Sequence, residues 1–353
     1  MKRVFAVLAL FFLAAFLTFA GGEKEKAGAA AKEYNWKLAS AEVEGDFMTA
    51  WAKNFAQEME KWSNGKIKIE VYPYGTLGQE KDINELCQTN TVQFVFSDYG
   101  WLAGFVPQIQ VFGLDYLWPR DKAYEVFAEV MTNGKTVKLL ESKFREKKLQ
   151  PLAYYTESWM HWTSKKPLKT PADMKGLKMR VMASKLLVTQ YNAYGCSTTP
   201  MDFGEVYNGL QMGLIDGQVN PVFAIHSMKF FEVQDYITNP YSSLFVAVPC
   251  MNRDLYDSLP KDIQEKINKT WKDSLMASIK WVDKLNEDSK QAILKSKPKI
   301  QFYDFTKEET QPFRELVRKV YPEFVKLGGE GSQEILNALL ADIEQAKAKL
   351  GVK

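Results

Sequence analysis

The sequence predicts an α/β fold of two domains with one long helix lying along both. Stretches in which apolar and polar residues alternate are interleaved with stretches in which apolar residues recur every three or four positions. This pattern is typical of strands alternating with helices, and it favours a mostly parallel sheet built from βαβ units. The 353 residues are too many for one compact core. Segment 261–295 lacks proline and glycine, and as a helix at about 1.5 Å per residue it would exceed about 50 Å.

The chain begins with a stretch typical of a secretory signal. Lys2 and Arg3 precede the apolar run VFAVLALFFLAAFLTFA, which ends in small residues. We predict a signal peptide over residues 1–20, cleaved after Ala20, and a flexible spacer of Gly, Ala, Lys and Glu over residues 21–33. The apolar run is longer than the usual ~7–15 residues, so a retained N-terminal membrane anchor is the alternative.

The first elements of the fold follow the spacer. YNWKLASAE, residues 34–42, is a predicted strand, and the helix after it has Asp46 as N-cap and stops at Asn64-Gly65. The apolar stripe of this helix consists of Phe47, Trp51, Phe55, Met59 and Trp62. Strict alternation predicts a strand over KIKIEVYP. GQEKDINELCQT is then a predicted helix, and VQFVFSD a predicted short buried strand.

The middle of the chain continues the alternation. KAYEVFAEVMTNGKTVKLLESKFREKK is a predicted helix with a break near Asn133-Gly134, and LQPLAYYT a predicted strand. In KTPADMKG, Thr170 caps, Pro171 takes the first helical position and Asp173 completes a capping box, which predicts a short helical turn. The strand LKMRV follows directly and contains Arg180. From the residues alone, Arg180 is either a solvated strand residue or the anchor of a binding site.

The remaining elements complete the pattern. GEVYNGLQMGL predicts a helix interrupted by glycines, and LFVAVPCMN predicts an apolar strand. After the long helix, KIQFYDF predicts a late strand, and two helices finish the chain. The sequence contains no repeat of fixed period.

Composition and motifs argue against several classes of function. Removal of the predicted signal lowers the net charge from +3 to +1, which gives no electrostatic basis for binding nucleic acid or an anionic membrane surface. The three cysteines, Cys87, Cys196 and Cys250, lie far apart, as expected of small buried hydrophobes rather than a disulfide framework. With two histidines, no HExxH and no Cys-x-x-Cys, we expect no metal site and no cofactor. The G-x-S-x-G elbow and the glycine patterns of nucleotide sites are also missing.

Two longer segments carry a more specific signature. They read SWMHWTSKKPLKTPADMKGLKMRV and PMDFGEVYNGLQMGLIDGQVNP, and they are preceded by SNGKIKIEVYPYGTLGQE and LDYLW. Together they resemble the DctP-type extracytoplasmic solute-binding proteins of TRAP transporters, the tripartite ATP-independent periplasmic family. The resemblance covers essentially all of the chain after the predicted signal and rests on the order and spacing of these motifs.

This resemblance implies a two-lobed periplasmic-binding-protein clamshell with mixed sheets that binds an organic acid. In that family an arginine of the strand after DMKGLK forms a salt bridge with the ligand carboxylate, an aromatic residue of PMDFGEVY packs on the ligand, and an asparagine of DGQVNP donates to the carboxylate. These roles point to Arg180, Phe203 and Asn220. From the other lobe, the resemblance points to Glu80, just after LG, and to Asp98 in the following strand.

General chemistry agrees with an anchoring role for Arg180. A guanidinium offers two parallel N–H donors that match the two oxygens of a carboxylate. A strand holds such a side chain more precisely than a loop does. Closure of two lobes would remove water from the ion pair and strengthen it.

Two positions depart from the family pattern. Sialic-acid-binding members have a second arginine about twenty residues before the anchor, where this chain has Met160; we keep Met160 among the candidate ligand-binding residues. Val219 replaces a glutamate common in DGQENP. The loss of these polar groups favours a monocarboxylate with an apolar or aromatic portion over a sialic acid or a plain C4 dicarboxylate.

The resemblance completes the prediction of domains and function. We expect residues 34–156 and 246–285 in lobe I, and residues 157–245 and 286–353 in lobe II. The implied function is a periplasmic, monomeric solute-binding subunit, without enzymatic activity or nucleic-acid binding, that delivers an organic acid to the small and large membrane subunits of a TRAP permease. Two alternatives stay open: a secreted enzyme that acts on a small organic acid through His161 or His226, and a ligand sensor with the same fold.

Overall fold

Residues 32–352 are the part of the chain that the computed structural model describes, so the predicted signal peptide and nearly all of the spacer lie outside it. The strands are β1 Tyr34–Ser40, β2 Ile67–Tyr72, β3 Phe94–Asp98, β4 Leu149–Pro151, β5 Tyr155–Trp159, β6 His161–Ser164, β7 Lys178–Val181, β8 Ser197–Pro200, β9 Gln218–Asn220, β10 Tyr236–Asn239, β11 Leu244–Asn252 and β12 Gln301–Asp304.

The α-helices alternate with these strands over most of the chain. They are α1 Phe47–Trp62, α2 Glu80–Gln88, α3 Tyr99–Leu102, α4 Ala123–Asn133, α5 Lys135–Glu146, α6 Pro171–Met174, α7 Lys185–Ala193, α8 Val206–Gln211, α9 Val222–Ser227, α10 Arg253–Ser258, α11 Lys261–Asp273, α12 Leu275–Ser296, α13 Lys307–Val317, α14 Tyr321–Gly328 and α15 Ser332–Leu350. Short 3-10 helices cover Pro107–Gly113, Phe203–Glu205 and Phe230–Val233.

The strands form two principal sheets. The first has the order β2-β1-β3-β11-β4, with β5 also paired to β11, and the second has the order β12-β10-β6-β9. Strands β7 and β8 form a separate parallel pair, which touches the second sheet region through a bridge between Met179 and Gly217.

The prediction of a mostly parallel sheet is wrong, and the sheets are mixed. In the first sheet β1 is parallel to β2 and β3. Strand β11 enters from the second sheet and runs antiparallel to β3, β4 and β5. In the second sheet only the β10–β12 pair is parallel. Local alternation of strands and helices does not reveal this, because β11 pairs with β3, β4 and β5, which lie about 85 to 155 residues before it in sequence.

Two short connections join the sheets. Met160 alone separates β5 of the first sheet from β6 of the second, and residues 240–243 separate β10 from β11. The connections lie side by side, since the Met160 amide donates to the Ser243 carbonyl at 3.0 Å. The predicted lobe boundaries at 156/157 and 245/246 fall within β5 and β11, and the division of residues between lobes stays a prediction.

The long helix is interrupted once, at Ser274, between α11 and α12. At this point the Trp271 carbonyl accepts a hydrogen bond from the Tyr155 hydroxyl. The Ser274 hydroxyl accepts from Trp51 Nε1 at 3.1 Å. Side chains that insert into the backbone ladder are a common cause of such a break, and these come from α1 and β5, far away in sequence.

The chain ends in three helices instead of the predicted two. Pro322 stands in the first turn of α14, and Gly329, with φ of +72°, ends that helix before α15 begins. Other predicted features are confirmed: helices α4 and α5 meet at Asn133-Gly134, and all three cysteines are buried. No helix in the described region is long and apolar enough to cross a membrane.

Helix α1 is buried along its apolar stripe and is capped by a residue other than the predicted one. Its stripe is buried except for Trp62, which is exposed. Asp46 occupies the N-cap position as predicted, but its side chain makes no capping bond. The cap is supplied by Glu42, whose Oε2 accepts from the Met48 amide at 2.5 Å, while Asp46 Oδ2 accepts from the Ser227 hydroxyl at 2.7 Å.

Candidate ligand-binding site

A small cavity lies where the ends of both sheets meet. Its lining combines charged, amide and large apolar side chains: Ala41, Glu42, Met48, Glu80, Asp98, Trp101, Arg180, Met182, Phe203, Asn220, Ala224 and Phe245. Other cavities of the described region are larger. We take the smaller one as the candidate site because it alone among these joins the buried charged groups Arg180, Glu80 and Asp98.

Arg180 is the basic residue of this cavity. It lies on β7, whose partner β8 runs parallel to it, and only 1% of the residue is exposed. Its Nε donates to the Met201 carbonyl at 2.9 Å, which fixes the plane of the guanidinium. Within residues 32–352, Nη1 and Nη2 have no hydrogen-bond partner. Burial rules out the solvated alternative for Arg180 and leaves two donors free.

Two carboxyl groups face Arg180. Glu80 begins α2, and its Oε2 has no partner among the described residues. Asp98 caps α3 through Oδ1, which accepts from the amides of Gly100 at 2.8 Å and Trp101 at 3.2 Å. Burial raises the pKa of Glu80 to about 7 and of Asp98 to about 6, while the charge of Arg180 opposes both shifts. Burial also lowers the pKa of Arg180, and the two carboxylates counteract it.

Phe203 and Asn220 complete the part of the site expected from the sequence. Phe203 opens a 3-10 helix, and its ring meets Tyr74 and Phe230 edge-on, with centroids 5.9 and 5.7 Å away. Asn220 ends β9, and its Nδ2 donates to Gln218 Oε1. The structure thus brings Arg180, Phe203, Asn220, Glu80 and Asp98 to one cavity.

Met160 is the predicted site residue that the cavity lining lacks. It is buried in the short connection between β5 and β6. Counting back from Arg180 along the chain identifies a position in sequence, whereas the site is assembled from strands that meet in space.

Glu42 and Glu157 were not predicted from the sequence. Glu42 lines the cavity, and the Glu157 carboxyl faces it closely enough for a hydrogen bond between the two groups. Neither oxygen of Glu157 has another partner in the described part of the chain. Burial raises the pKa of Glu42 to about 7 and that of Glu157 well above its usual range, and the neighbouring carboxyl of Glu42 adds to the rise at Glu157.

A usable signal for Glu42 was present in the sequence. Ligands of open α/β sheets bind outside the carboxyl ends of the parallel strands. Glu42 follows β1 directly, and Asp98 ends the neighbouring parallel strand β3. Asp46, in the next loop, belongs to the same group of acids: burial, and then the charge of Glu42, raise its pKa to about 8.

A β-bulge accounts for the inward position of Glu157. Between the pairs Thr156–Val246 and Trp159–Leu244, β5 has one residue more than β11. Ser158 in this bulge has φ of +91°, which is uncommon for a residue with a side chain. Bulges change the direction of side chains and are frequent beside functional sites.

Three contacts close the cavity from opposite sides. The Tyr74 hydroxyl, in the loop after β2, accepts from the Gly204 amide at 2.9 Å. Ser227 at the end of α9 donates to Asp46 before α1. A Cβ at Gly100 would lie 2.8 Å from Met182 Cβ, so α3 approaches the segment after β7 this closely only with glycine there. These contacts correspond to a closed cleft.

The two histidines lie outside the cavity lining. His161 Nδ1 is 2.9 Å from the Trp159 carbonyl oxygen, and burial lowers its pKa to about 4. His226 stacks on Phe231. The described residues contain no cluster of three or more His, Cys, Asp or Glu side chains that could hold a metal ion.

Comparison with known families places the chain. The profile of DctP, bacterial extracellular solute-binding protein family 7, matches residues 38–327. The chain belongs to this family. Members are solute-binding receptors of transporters, so the hypothesis of an enzyme acting through His161 or His226 is wrong.

Relatives and solved structures agree with this assignment. The ectoine/5-hydroxyectoine-binding periplasmic protein UehA of Ruegeria pomeroyi is 32% identical over 92% of this chain and 95% of its own length. The periplasmic ectoine-binding protein of the TeaABC TRAP transporter of Halomonas elongata has a TM-score of 0.84 at 31% identity, covering 88% of this chain and 99% of that structure. A TRAP periplasmic solute-binding protein of Desulfovibrio salexigens, solved with bound orotic acid, has a TM-score of 0.84 at 27% identity, covering 89% and 100%.

The predicted family and fold class are therefore confirmed. The fold is the two-lobed α/β clamshell of TRAP solute-binding proteins. Proteins of this family bind small organic solutes and work with TRAP membrane subunits.

Proposed function

We propose that this chain is the periplasmic receptor of a TRAP transporter, and that it captures an organic acid through a salt bridge to Arg180. The observation that carries the proposal is the state of Arg180: a buried guanidinium in the cavity with two terminal nitrogens that have no partner in the described region. Unpaired buried donors are costly. A bound carboxylate removes that cost by accepting from both.

The surroundings of Arg180 suit a bidentate contact. The bond from Nε to Met201 holds the guanidinium from one edge and leaves the edge with Nη1 and Nη2 to the ligand. A guanidinium and a carboxylate in this arrangement form two parallel charge-assisted hydrogen bonds. Because the side chain starts from a strand inside the fold, little ordering is needed on binding.

Phe203 and Asn220 have supporting roles in this proposal. The Phe203 ring forms an apolar wall of the cavity, and Asn220 offers an amide beside it. The cavity is small and bridged by the bond between Tyr74 and Gly204, which suits a compact solute. Relatives named for ectoine and a structure holding orotic acid support a small carboxylate.

Delivery and location follow from the same proposal. A monomeric receptor in the periplasm would close its lobes on the acid and pass it to the small and large membrane subunits of a TRAP permease. Hinge closure of two lobes around a ligand is the usual motion of such clamshells. The near-neutral charge offers no basis for nucleic-acid binding.

A ligand screen followed by calorimetry tests the proposal. Thermal-shift measurements with mono- and dicarboxylates identify binders, because a ligand at 100 times its Kd adds about 2.7 kcal/mol to the free energy of unfolding. The tightest binder is then titrated into wild type, Arg180→Lys and the exposed control Arg318→Lys. We expect weaker binding in Arg180→Lys alone, since lysine lacks the planar fork. Equal affinity in all three proteins would refute the salt bridge.

A further inference from the structure

The cavity contains more negative charge than a receptor for a simple anion needs. Arg180 is the basic residue among the described residues that line it. Three buried carboxyl groups, those of Glu42, Glu80 and Asp98, line the cavity with it, and two more, those of Asp46 and Glu157, lie close to Glu42 outside the lining. Within residues 32–352, none of these five forms a salt bridge with a lysine, arginine or histidine. A second anion bound here would add to the imbalance.

The carboxyl groups without a basic partner are concentrated at the end of the cavity away from Arg180. The charge of Arg180 acts on Glu80 and Asp98. The charged groups acting most strongly on Glu157 are all carboxyls, those of Glu42, Asp98 and Asp46. Isolated buried carboxylates are unstable unless they are paired or protonated. At the Glu42 end no lysine, arginine or histidine of residues 32–352 forms a salt bridge with these carboxyls, so protonation is what compensates them in the protein alone.

We propose that the ligand carries a cationic group in addition to its carboxylate, and that Glu42, supported from behind by Glu157, receives this group. The proposal rests on the proposed function, because it takes the carboxylate at Arg180 as given. The ligand class is then a small zwitterionic carboxylate. Glu42 is the member of the pair that lines the cavity, and it is held in place by its bond from the Met48 amide.

The fold is built to keep the pair in position. The bulge in β5 directs Glu157 inward, and Asn286 of α12 donates to its backbone carbonyl at 3.4 Å. The rings of Trp101, Phe203 and Phe245 line the same cavity. Aromatic faces attract organic cations, so this lining suits the cationic part of a zwitterion.

Proton release is the consequence that distinguishes this site from a plain anion site. Two carboxylates in contact do not both ionise, so we expect the Glu42–Glu157 pair to hold a proton before a ligand binds. A cation at Glu42 removes the reason to hold that proton. Binding of a zwitterion should therefore release protons, whereas binding of a plain anion beside these acids should take protons up.

The groups around Glu42 and Glu157 on the neighbouring elements are mostly acidic, which is consistent with proton release when a cation binds. Asp46 lies in the loop before α1, where Ser227 of α9 donates to it, and Asp98 ends β3. On the far side of the bulge, Tyr124 of α4 meets Ser158 at 3.0 Å. Asp283 of α12 acts on Tyr124 and is itself acidic. The positive charge in this surrounding is Arg180 of β7.

Calorimetry with matched probes tests the proposal. Ectoine and glycine betaine serve as zwitterions, and orotate and succinate as anions, each titrated into the full-length protein at about pH 7.5 in two buffers of different ionisation enthalpy. Glu42→Gln keeps an acceptor for the Met48 amide and removes the charge. Glu44→Gln, an exposed acid of the same loop paired with Lys53, is the control.

The expected result has two parts. A zwitterion binds wild type at least about tenfold more tightly than either anion and releases protons, as a charge-assisted contact predicts. Glu42→Gln lowers zwitterion affinity by about tenfold or more and abolishes most of the proton release, whereas Glu44→Gln changes neither. The proton count in wild type needs no variant, so it is unaffected if Glu42→Gln folds poorly.

Other outcomes separate this inference from the proposed function. If neither zwitterion binds more tightly than the anions, or if binding takes protons up, the cationic subsite is wrong. If an anion still binds and Arg180→Lys weakens it, the proposed function stands without the subsite. If the tightest ligand has the same affinity for Arg180→Lys as for wild type, the proposed salt bridge is wrong, and this inference is wrong with it.

Discussion

The Arg180 end and the Glu42 end of the cavity are both buried and charged, yet they are compensated in different ways. Arg180 has one nitrogen bonded to the backbone, two nitrogens free, and carboxyls of opposite charge nearby. Glu42 has a backbone amide on one oxygen and a further carboxyl, Glu157, facing it. Opposite charges nearby favour the charged form of Arg180, whereas burial and a second carboxyl favour the protonated form of the Glu42–Glu157 pair.

This difference indicates what each end contributes to recognition. In the proposed function Arg180 selects for an anion at every physiological pH, because an arginine is not deprotonated in practice. The acid pair changes its protonation with pH and ligand, so its contribution depends on both. Substitutions at the two ends should therefore differ in size and in pH dependence.

The largest effect is expected from Arg180→Ala. Its removal leaves the ligand carboxylate desolvated and unpaired, which costs about 3 kcal/mol or more in binding free energy. Titration calorimetry with the tightest carboxylate measures the loss, with Arg318→Ala as the exposed control. A loss below about 1 kcal/mol would show that Arg180 is not the anchor.

The buried acids near Glu42 should make the stability of the ligand-free protein depend on pH. The pKa of Glu42 is raised from 4.5 to about 7, and that of Asp46 from 3.8 to about 8. For each group, between its ordinary pKa and its raised pKa, the folded state binds more protons than the unfolded state. The free energy of unfolding therefore falls as pH rises through that interval, by up to about 1.4 kcal/mol per pH unit for each group. We expect stability to decline from about pH 5 to pH 8.

Urea unfolding at several pH values measures this decline, and Glu42→Gln should make it shallower. Glu44→Gln should keep the slope of wild type, because its carboxyl is exposed and paired with Lys53. Stability that rises over the same interval, or an unchanged slope in Glu42→Gln, would mean that the acids are not protonated in the folded protein.

A smaller effect is expected where the two sides of the cleft meet. Tyr74→Phe removes the hydroxyl that accepts from the Gly204 amide in the closed form. One such hydrogen bond is worth about 0.5–1.5 kcal/mol, so ligand affinity should fall about five-fold at both ends of the cavity alike. Tyr72→Phe is the matched control, because the Tyr72 hydroxyl donates to Glu70 of the same strand and not across the cleft. Equal affinities in the two variants would show that this contact does not stabilise closure.

The smallest effect is expected from His226→Gln. His226 stacks on Phe231 outside the cavity lining, and substitutions away from a site usually change free energies by less than about 0.5 kcal/mol. Calorimetry should give the affinity of wild type. A larger loss would mean that the ligand extends beyond the cavity to the His226 end of α9.

Much of the fold was predictable because it depends on local pattern. Alternation and three-to-four spacing located most strands and helices, including the break between α4 and α5. The interruption at Ser274 was not predictable, since the bonds around it come from Trp51 and Tyr155. The antiparallel direction of β11 likewise depends on its pairing with β3, β4 and β5, which local pattern does not reveal.

The site divides in the same way. The order of motifs led to Arg180 and its neighbours Phe203 and Asn220, which the structure brings to one cavity. Glu157 could not be identified from sequence, because its inward position depends on a bulge against β11. Met160 was chosen by counting along the chain, and it lies in the connection between sheets instead.

A crystal structure of the protein with its tightest-binding small acid would test both ends of the cavity at once. We expect a carboxylate with one oxygen on Arg180 Nη1 and the other on Nη2, each at about 2.7–2.9 Å, and a cationic group of the same ligand against Glu42. A ligand whose carboxylate lies away from Arg180, or whose uncharged end rests on Glu42, would contradict this expectation.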